Sequence, residues 1–445
     1  MASTTVAPET PVRGPDGGPS SGTLSELAAL EAARDEKRQL LDRAAEAAVG
    51  ELTRTDRLPA GCTPDDLPAL LQRYYWSEPA AEVIGHEPTE LAGLAIGHLR
   101  LAEVRPPGSA TVDVHRLDDG RAVIRLVTDD MPYLVDSVTA EVVRQGVSLA
   151  HIVHPVVVVR RDLRGRIKAF CDSSLAVGCG SDALTESWMA VVLDGPLDDE
   201  AAADLVNGLR TVLDDVRAVD EDAERLRSRV LELAARLDSL AGPAVEDPAD
   251  DPAEAAALLR WLAEGNFVFL GARDVDLAPA RGKLTARAVP GSGLGVLRSD
   301  TDMSAAVMPE ASRSPAQHLV AVTKADARST VHRRAWLDLI AVSLPADGGP
   351  TRQLRFVGLF PSTAYTTSVV DVPLVRRRVA EVIARSGVPA DSHTGKELLD
   401  VLETYPRDEL IQVGADELLP VATAVLHLQE RRQTRLFLRQ DPTGR

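Results

Sequence analysis

Aromatic residues make up only 3% of this 445-residue chain, so its cores must be built from Ala, Val and Leu rather than from stacked rings. Cysteine is almost as scarce. Cys62, Cys171 and Cys179 are the whole supply, too few for a disulfide framework, and Cys171 and Cys179 read as buried small hydrophobes in a reducing compartment. Long apolar runs are missing too: the longest, such as Ala150–Val159, are far too short to span a bilayer. No basic-then-apolar opening with a cleavage site is visible, so a cytoplasmic protein is expected. A basic stripe is also lacking, since 49 Lys and Arg face 67 Asp and Glu for a formal charge of −18. Such a surface repels nucleic acid and anionic lipid, which excludes both as expected partners. What remains, 44% hydrophobic and 26% charged, is the balance of a soluble globular protein with two to four domains.

The most organised stretch is Ala122–Asp162. Ala122–Thr128 is short, β-branched and apolar, and reads as a buried strand. Asp129-Asp130-Met131-Pro132 breaks it with a helix-start signal, because Pro lacks the N–H that would be orphaned in a first turn. Met131, Leu134, Val135, Val138, Val142 and Val143 then recur at helical spacing up to Gln145, and Gly146 stands where a glycine would end the helix. Val147–Val159 follows as a strand covered on both sides.

Elsewhere, residues 1–23, rich in Pro, Gly, Ser and Thr, are expected to be a disordered tail, and residues 24–109 to be N-terminal helices. Ala110–Leu117, Ile167–Asp172 and Ser187–Leu193 read as further strands, and Asp198–Leu240 as two helices. Residues 110–242 would then form a first module, closed by the acidic linker 243–252. A second module, 253–372, opens with the helix Ala253–Ala263. It continues through strands at 266–270, 273–277, 284–289, 319–324, 337–344 and 354–360, a pattern for antiparallel sheet. Residues 373–432 form a helical connector of three helices. Residues 433–445 enter a strand, so the chain is expected to stop inside a further module.

Several patterns suggest chemistry. Gly291-x-Gly293-x-Gly295 lacks the third glycine of a dinucleotide fingerprint, since Val296 stands there, and it reads as a plain turn. His151 and His154 would point to opposite faces of one strand, with no further ligands to complete a metal site. Lys324, Arg328, His332 and Arg333 form a local basic turn that could meet an anion or an acidic partner, although a solvated loop or internal ion pairing is commoner. Asp129, Asp130, Pro132 and Leu134 are the most informative group. Asp130 and the helix amides could bracket an amino-acid ligand, its ammonium on the carboxylate and its carboxylate on the amides. The plainer reading, a helix-capping Asp130, requires nothing else and is favoured.

Asp130-Met-Pro132-Tyr-Leu134 resembles the opening loop of ACT domains, βαββαβ modules that often bind amino acids. Longer motifs are similar to the N-terminal region of the large bacterial NAD-specific glutamate dehydrogenases. These are Ile124–Val138, His151–Arg161, Leu262–Gly271, Thr323–Arg333, Gly358–Tyr365 and Leu402–Leu410, in the family's order. The resemblance implies an α+β, multidomain fold: an ACT-like βαββαβ module, then a PAS-type antiparallel α+β module, with connecting helices. It implies the start of a second ACT-like domain from Leu436. It also implies a regulatory and assembly segment of an enzyme that oxidatively deaminates L-glutamate to 2-oxoglutarate and ammonia.

No position matches the family's catalytic lysines, catalytic aspartate or dinucleotide fold. No catalytic, cofactor-binding or metal residue is therefore carried over, and NAD is expected for the full-length enzyme only. The expected partners are the protein's own downstream catalytic domain, further copies in a homo-oligomer, and an amino-acid effector. The alternative is a free-standing ACT-type amino-acid sensor or subunit-assembly module. In amino-acid-binding ACT loops Pro is followed by Gly, whereas Pro132 is followed by Tyr133 here.

Overall fold

In the computed structural model, residues 21–55, 63–117, 119–171, 180–243, 245, 247–280, 283–299, 306–307, 318–344, 351–428, 434 and 436 are described. The expected tail before residue 21, and the expected second ACT-like start apart from residues 434 and 436, lie outside them. Contacts divide the chain into two units. One is Met1–Met131 with Glu141–Thr211, the other Pro132–Ala140 with Val212–Arg445. None of the described helices is long and apolar enough to cross a membrane.

The first unit opens with helices α1 (Ser21–Thr55), α2 (Leu67–Tyr74), α3 (Ala80–Ile84) and α4 (Pro88–Ala102). Helix α4 starts where the sequence places a proline at its first position behind a Glu87–Glu90 capping box. Strands β1 (Thr111–Arg116) and β2 (Ala122–Asp129) follow, then helix α5 (Leu134–Arg144). After α5 come β3 (Leu149–Val153), β4 (Val156–Arg161), β5 (Ile167–Cys171), β6 (Ala183–Leu193) and helix α6 (Asp199–Asp238).

The strands make one antiparallel sheet in the order β1-β2-β6-β4-β5, with β3 also paired to β6. Strand β2 is buried from Ala122 through Thr128, and apart from Arg125 and Thr128 its buried residues are apolar without alternation. Val123 and Val127 face a core shared with Leu40, Leu71, Leu99 and Trp188 from the helices and β6. His98 of α4 is wholly buried there, its Nε2 2.9 Å from the Leu126 carbonyl and its Nδ1 2.8 Å from the Tyr74 hydroxyl.

Three expectations are corrected in this region. Val147–Val159 is not one strand but β3 and β4, both lying along the same edge of β6. Pro155 explains the break, since it has no N–H for the ladder, although its carbonyl still accepts from Trp188 N at 3.0 Å. Helix α5 starts at Leu134, three residues later than the apolar spacing suggested, because Tyr133 holds a positive φ of 67°. Its expected end is right: Gly146, at φ 76°, donates to Val143, and Val147 donates back to Val142. Cys171 is disulfide-bonded, where a buried thiol was expected.

The second unit takes in the C-terminal part of α6, which runs unbroken where two helices were expected. Helix α7 (Pro252–Trp261) follows, capped by Asp251, whose carboxylate accepts from Ala253 N at 3.0 Å. The expected linker is therefore partly folded: Pro248–Asp250 is a short 3-10 turn with Pro248 and Ala249 buried.

The second antiparallel sheet contains β7 (Val268–Ala280), β8 (Lys283–Ala288), β9 (Leu294–Gly295), β10 (Ala306–Val307), β11 (Val320–Arg328), β12 (Trp336–Leu344) and β13 (Thr351–Leu359). Their order is β10-β8-β7-β13-β12-β11, with β9 on β7. The two short strands expected at 266–277 are one long strand, β7. Helices α8 (Ser362–Thr366), α9 (Val375–Ser386), α10 (His393–Glu403), α11 (Arg407–Gln412) and α12 (Ala415–Leu426) complete the unit. The single helix expected over 406–430 is α11 and α12, parted at Val413-Gly414, where both residues are extended. The α7 residues Leu258 and Leu259, Phe356 of β13 and Leu398 of α10 share one core.

Candidate functional site

The sheet register sets Asp129 of β2 opposite Glu186 of β6, two carboxylates side by side. Such a pair requires cations, and two arginines from distant segments supply them. Arg105, with no exposed side-chain surface, reaches Glu186 Oε1 through Nε and Nη2 at 3.0 and 2.8 Å and Asp129 Oδ1 through Nη2 at 2.6 Å. Arg161 donates from Nε and Nη2 to the two Glu186 oxygens at 2.6 and 2.8 Å, and Trp188 Nε1 adds a bond of 3.1 Å. Burial opposes the charge on Arg105, yet Glu186 and Asp129 outweigh it and raise its pKa. Two guanidiniums and two carboxylates thus close a neutral cluster with little exposure to water.

Asp130, next in the chain, is the second anchor. Its Oδ1 accepts from the buried Ser187 hydroxyl at 2.6 Å, and its backbone N–H donates to the Thr185 carbonyl. No amide of α5 donates to Asp130 among the described residues, so the helix-cap reading is replaced by a strand-to-turn tie. His154, in the break between β3 and β4, lies with Nε2 2.9 Å from Ser187 Oγ. The order of these three is not that of a hydrolytic triad: the serine proton is committed to the aspartate, with histidine on its other side. Burial lowers the His154 pKa against the opposing pull of Asp130. His151 lies elsewhere on β3, its ring 6.2 Å from that of His86.

The remaining residues of the expected effector group divide by role. Leu134 is a core residue at the first turn of α5, and Pro132 is an exposed turn residue. Of the expected basic turn, Lys324 bonds Asp338 at 2.6 Å, Arg328 lies over the Trp336 ring, and Arg333 donates to the Phe360 carbonyl. His332 sits 2.9 Å from Asp136 and donates its backbone N–H to Ser137 Oγ. Each cation has its own internal partner, and the four do not converge.

Gly291–Gly295 is a turn against β7, its Gly295 N–H held by Asp222 at 2.8 Å, which agrees with the plain-turn reading. Asp247, Asp250 and His318 lie close together, and Asp250 also receives the Leu319 N–H at 2.8 Å, tying down the start of β11. Arg105, Arg161, Glu186 and Ser187 escaped sequence reasoning. Glu186 precedes the apolar run of β6, but its partner Arg105 lies 81 residues away, beyond any local spacing rule.

Residues 70–209, which include α4 and the whole first sheet, match the glutamate dehydrogenase ACT1 domain, and residues 372–431 match the glutamate dehydrogenase helical motif 1. Over most of its length the chain is similar to NAD-specific glutamate dehydrogenases. It is 32% identical to the NAD-specific glutamate dehydrogenase of Pseudomonas aeruginosa over 376 residues, covering 80% of this chain and 22% of that protein. Its identity to the Halomonas elongata protein of the same name is 31% over 341 residues, 74% of this chain and 21% of the other. With that of Mycobacterium tuberculosis it is 35% over 347 residues, 77% and 20%. The chain spans about a fifth of the length of these curated relatives. The ACT1 match gives the Asp129–Leu134 turn its context: it is the turn between strand β2 and helix α5 of the matched residues.

Proposed function

We propose that this chain is the non-catalytic, regulatory and subunit-assembling part of an NAD-dependent glutamate dehydrogenase, which deaminates L-glutamate oxidatively to 2-oxoglutarate and ammonia. The observation that carries the reading is the ACT1 match over a domain whose most charged cluster is neutralised from within. Glu186 and Asp129 are held by Arg105 and Arg161, so these groups serve to set the shape of a turn rather than to move protons. In this reading NAD binds a catalytic domain joined to this chain, the second sheet is a PAS-type module, and the protein works as a cytoplasmic homo-oligomer.

The effector in this reading is an amino acid whose ammonium is taken by Asp130 at the end of β2. To meet its ammonium, Asp130 would exchange its Ser187 bond for one to the ligand, a swap between two charge-assisted hydrogen bonds. Calorimetry of the chain against the common amino acids, with and without Asp130→Asn, tests this. Binding that Asp130→Asn weakens by about 1.5–3 kcal/mol supports it, and binding indifferent to that change removes the effector from this turn.

A further inference from the structure

The 3-10 turn before α7 and the residues that lead into β11 bring three metal-ligating side chains together. Asp247 caps the turn, Asp250 ends it, and His318 comes from a segment 68 residues beyond Asp250. Their ligand atoms all lie within 4.8 Å of one another. Asp250 Oδ2 is 3.1 Å from His318 Nδ1, and Asp247 Oδ2 is 3.7 Å from the same nitrogen.

The other oxygen of each carboxylate is already committed. Asp247 Oδ1 accepts from Ala249 N at 2.8 Å, and Asp250 Oδ1 accepts from Leu319 N at 2.8 Å. Both donors are backbone groups, so they fix each carboxylate with its second oxygen toward the imidazole, as outer-shell bonds orient metal ligands. A proton on Nδ1 joins His318 to Asp250 but leaves Asp247 Oδ2 beyond hydrogen-bond reach. A metal ion joins all three. In a tetrahedral site with bonds of about 2.0–2.2 Å, neighbouring ligand atoms stand about 3.3–3.6 Å apart. The separations of 3.1 and 3.7 Å bracket that spacing.

Two arginines of α9 act near the turn without filling this place. Arg377 pairs with Asp251 and the Val245 carbonyl, and Arg378, whose charge acts on Asp247, donates to the carbonyls of Leu410 and Ile411. An imidazole beside two carboxylates favours a transition metal over calcium or magnesium, which prefer all-oxygen sets. The three side chains are 36–45% exposed, so water can complete the coordination.

We propose that Asp247, Asp250 and His318 bind a divalent transition-metal ion, which clips the turn before α7 to the start of β11.

Zinc titrated calorimetrically into the 1–445 chain, stripped of metals with a chelator beforehand, tests this. The expected result is a zinc site that His318→Gln and Asp247→Asn each weaken at least tenfold. Zinc should also raise the melting temperature of the parent more than that of either variant. Asp247→Asn keeps an oxygen for Ala249 N, so the turn stays and the ligand is lost. An ion pair alone would not register this change, because Asp247 lies beyond hydrogen-bond reach of His318. Calcium or magnesium in large excess should not displace the zinc. Zinc affinity unchanged by either substitution would overturn the proposal. So would displacement by calcium, or the absence of zinc binding.

Discussion

Tyr133 and His332 pack ring against ring with centroids 5.1 Å apart, and both hold left-handed backbone conformations, with φ of 67° and 68°. Left-handed φ costs a non-glycine residue roughly 1–2 kcal/mol, and two such residues in contact mark a packing strong enough to hold both. Tyr133 follows Pro132 where amino-acid-binding ACT loops carry glycine. The turn keeps the backbone form that suits glycine and uses the ring for packing. Replacing Tyr133 by Gly or by Ala removes the ring equally, so the pair isolates the backbone. Tyr133→Gly should be more stable than Tyr133→Ala by about 1 kcal/mol in denaturant unfolding, the reverse of the usual order. Alanine equal to or better than glycine would mean that the turn relaxes.

Glu186 is the counter-charge for two buried arginines. Glu186→Gln keeps a side chain of the same shape but leaves the guanidiniums short of negative charge. The expected cost is about 3–5 kcal/mol, the range for removing one partner of a buried ion cluster. Urea unfolding of the two proteins measures it, and a loss under about 1 kcal/mol would show that water reaches the cluster.

Asp130 and Ser187 should couple. If Asp130 works through the Ser187 hydroxyl, a double-mutant cycle with Asp130→Ala and Ser187→Ala should give about 1 kcal/mol of interaction energy. Additive effects would mean that the Asp130–Ser187 bond does not stabilise the fold.

His98 makes stability depend on pH. The Leu126 carbonyl can only accept, so Nε2 carries the proton and Nδ1 accepts from the Tyr74 hydroxyl, leaving the neutral ring satisfied at both nitrogens. Burial, aided by the charge of Arg125 and opposed by the Leu126 carbonyl, holds the His98 pKa down to about 3. The unfolded chain takes up this proton near pH ~6.5, so the unfolded state binds more protons between the two values. His98 thus contributes stability above pH ~6.5 that is lost as the pH falls toward 3, at up to about 1.4 kcal/mol per unit. Unfolding free energies measured between about pH 4 and 6 should have a slope shallower by close to one proton in His98→Gln than in the parent. Parallel slopes would contradict this account of His98.

Much of the architecture was legible because burial was written in composition. Ala122–Thr128 reads as a buried strand, and it is buried throughout. The helix end at Gly146 was legible for a different reason, since a left-handed closing residue favours glycine. The start of α5 was not: apolar spacing counts Met131 into the helix, whereas the positive φ of Tyr133 delays it to Leu134, and no residue type announces such a φ in tyrosine. The Arg105–Glu186–Arg161 cluster was illegible because it depends on sheet register, which brings together residues up to 81 positions apart. Asp130 was visible as important but its role was misread, since a cap needs only local chain and the Ser187 bond needs the fold.

The central claim is that this chain regulates and assembles but does not catalyse. Purified 1–445, incubated with L-glutamate and NAD and followed by NADH absorbance, measures it most directly. The account predicts no glutamate-dependent NADH above that of a mock preparation. Turnover that survives repurification and is absent from the mock would contradict it.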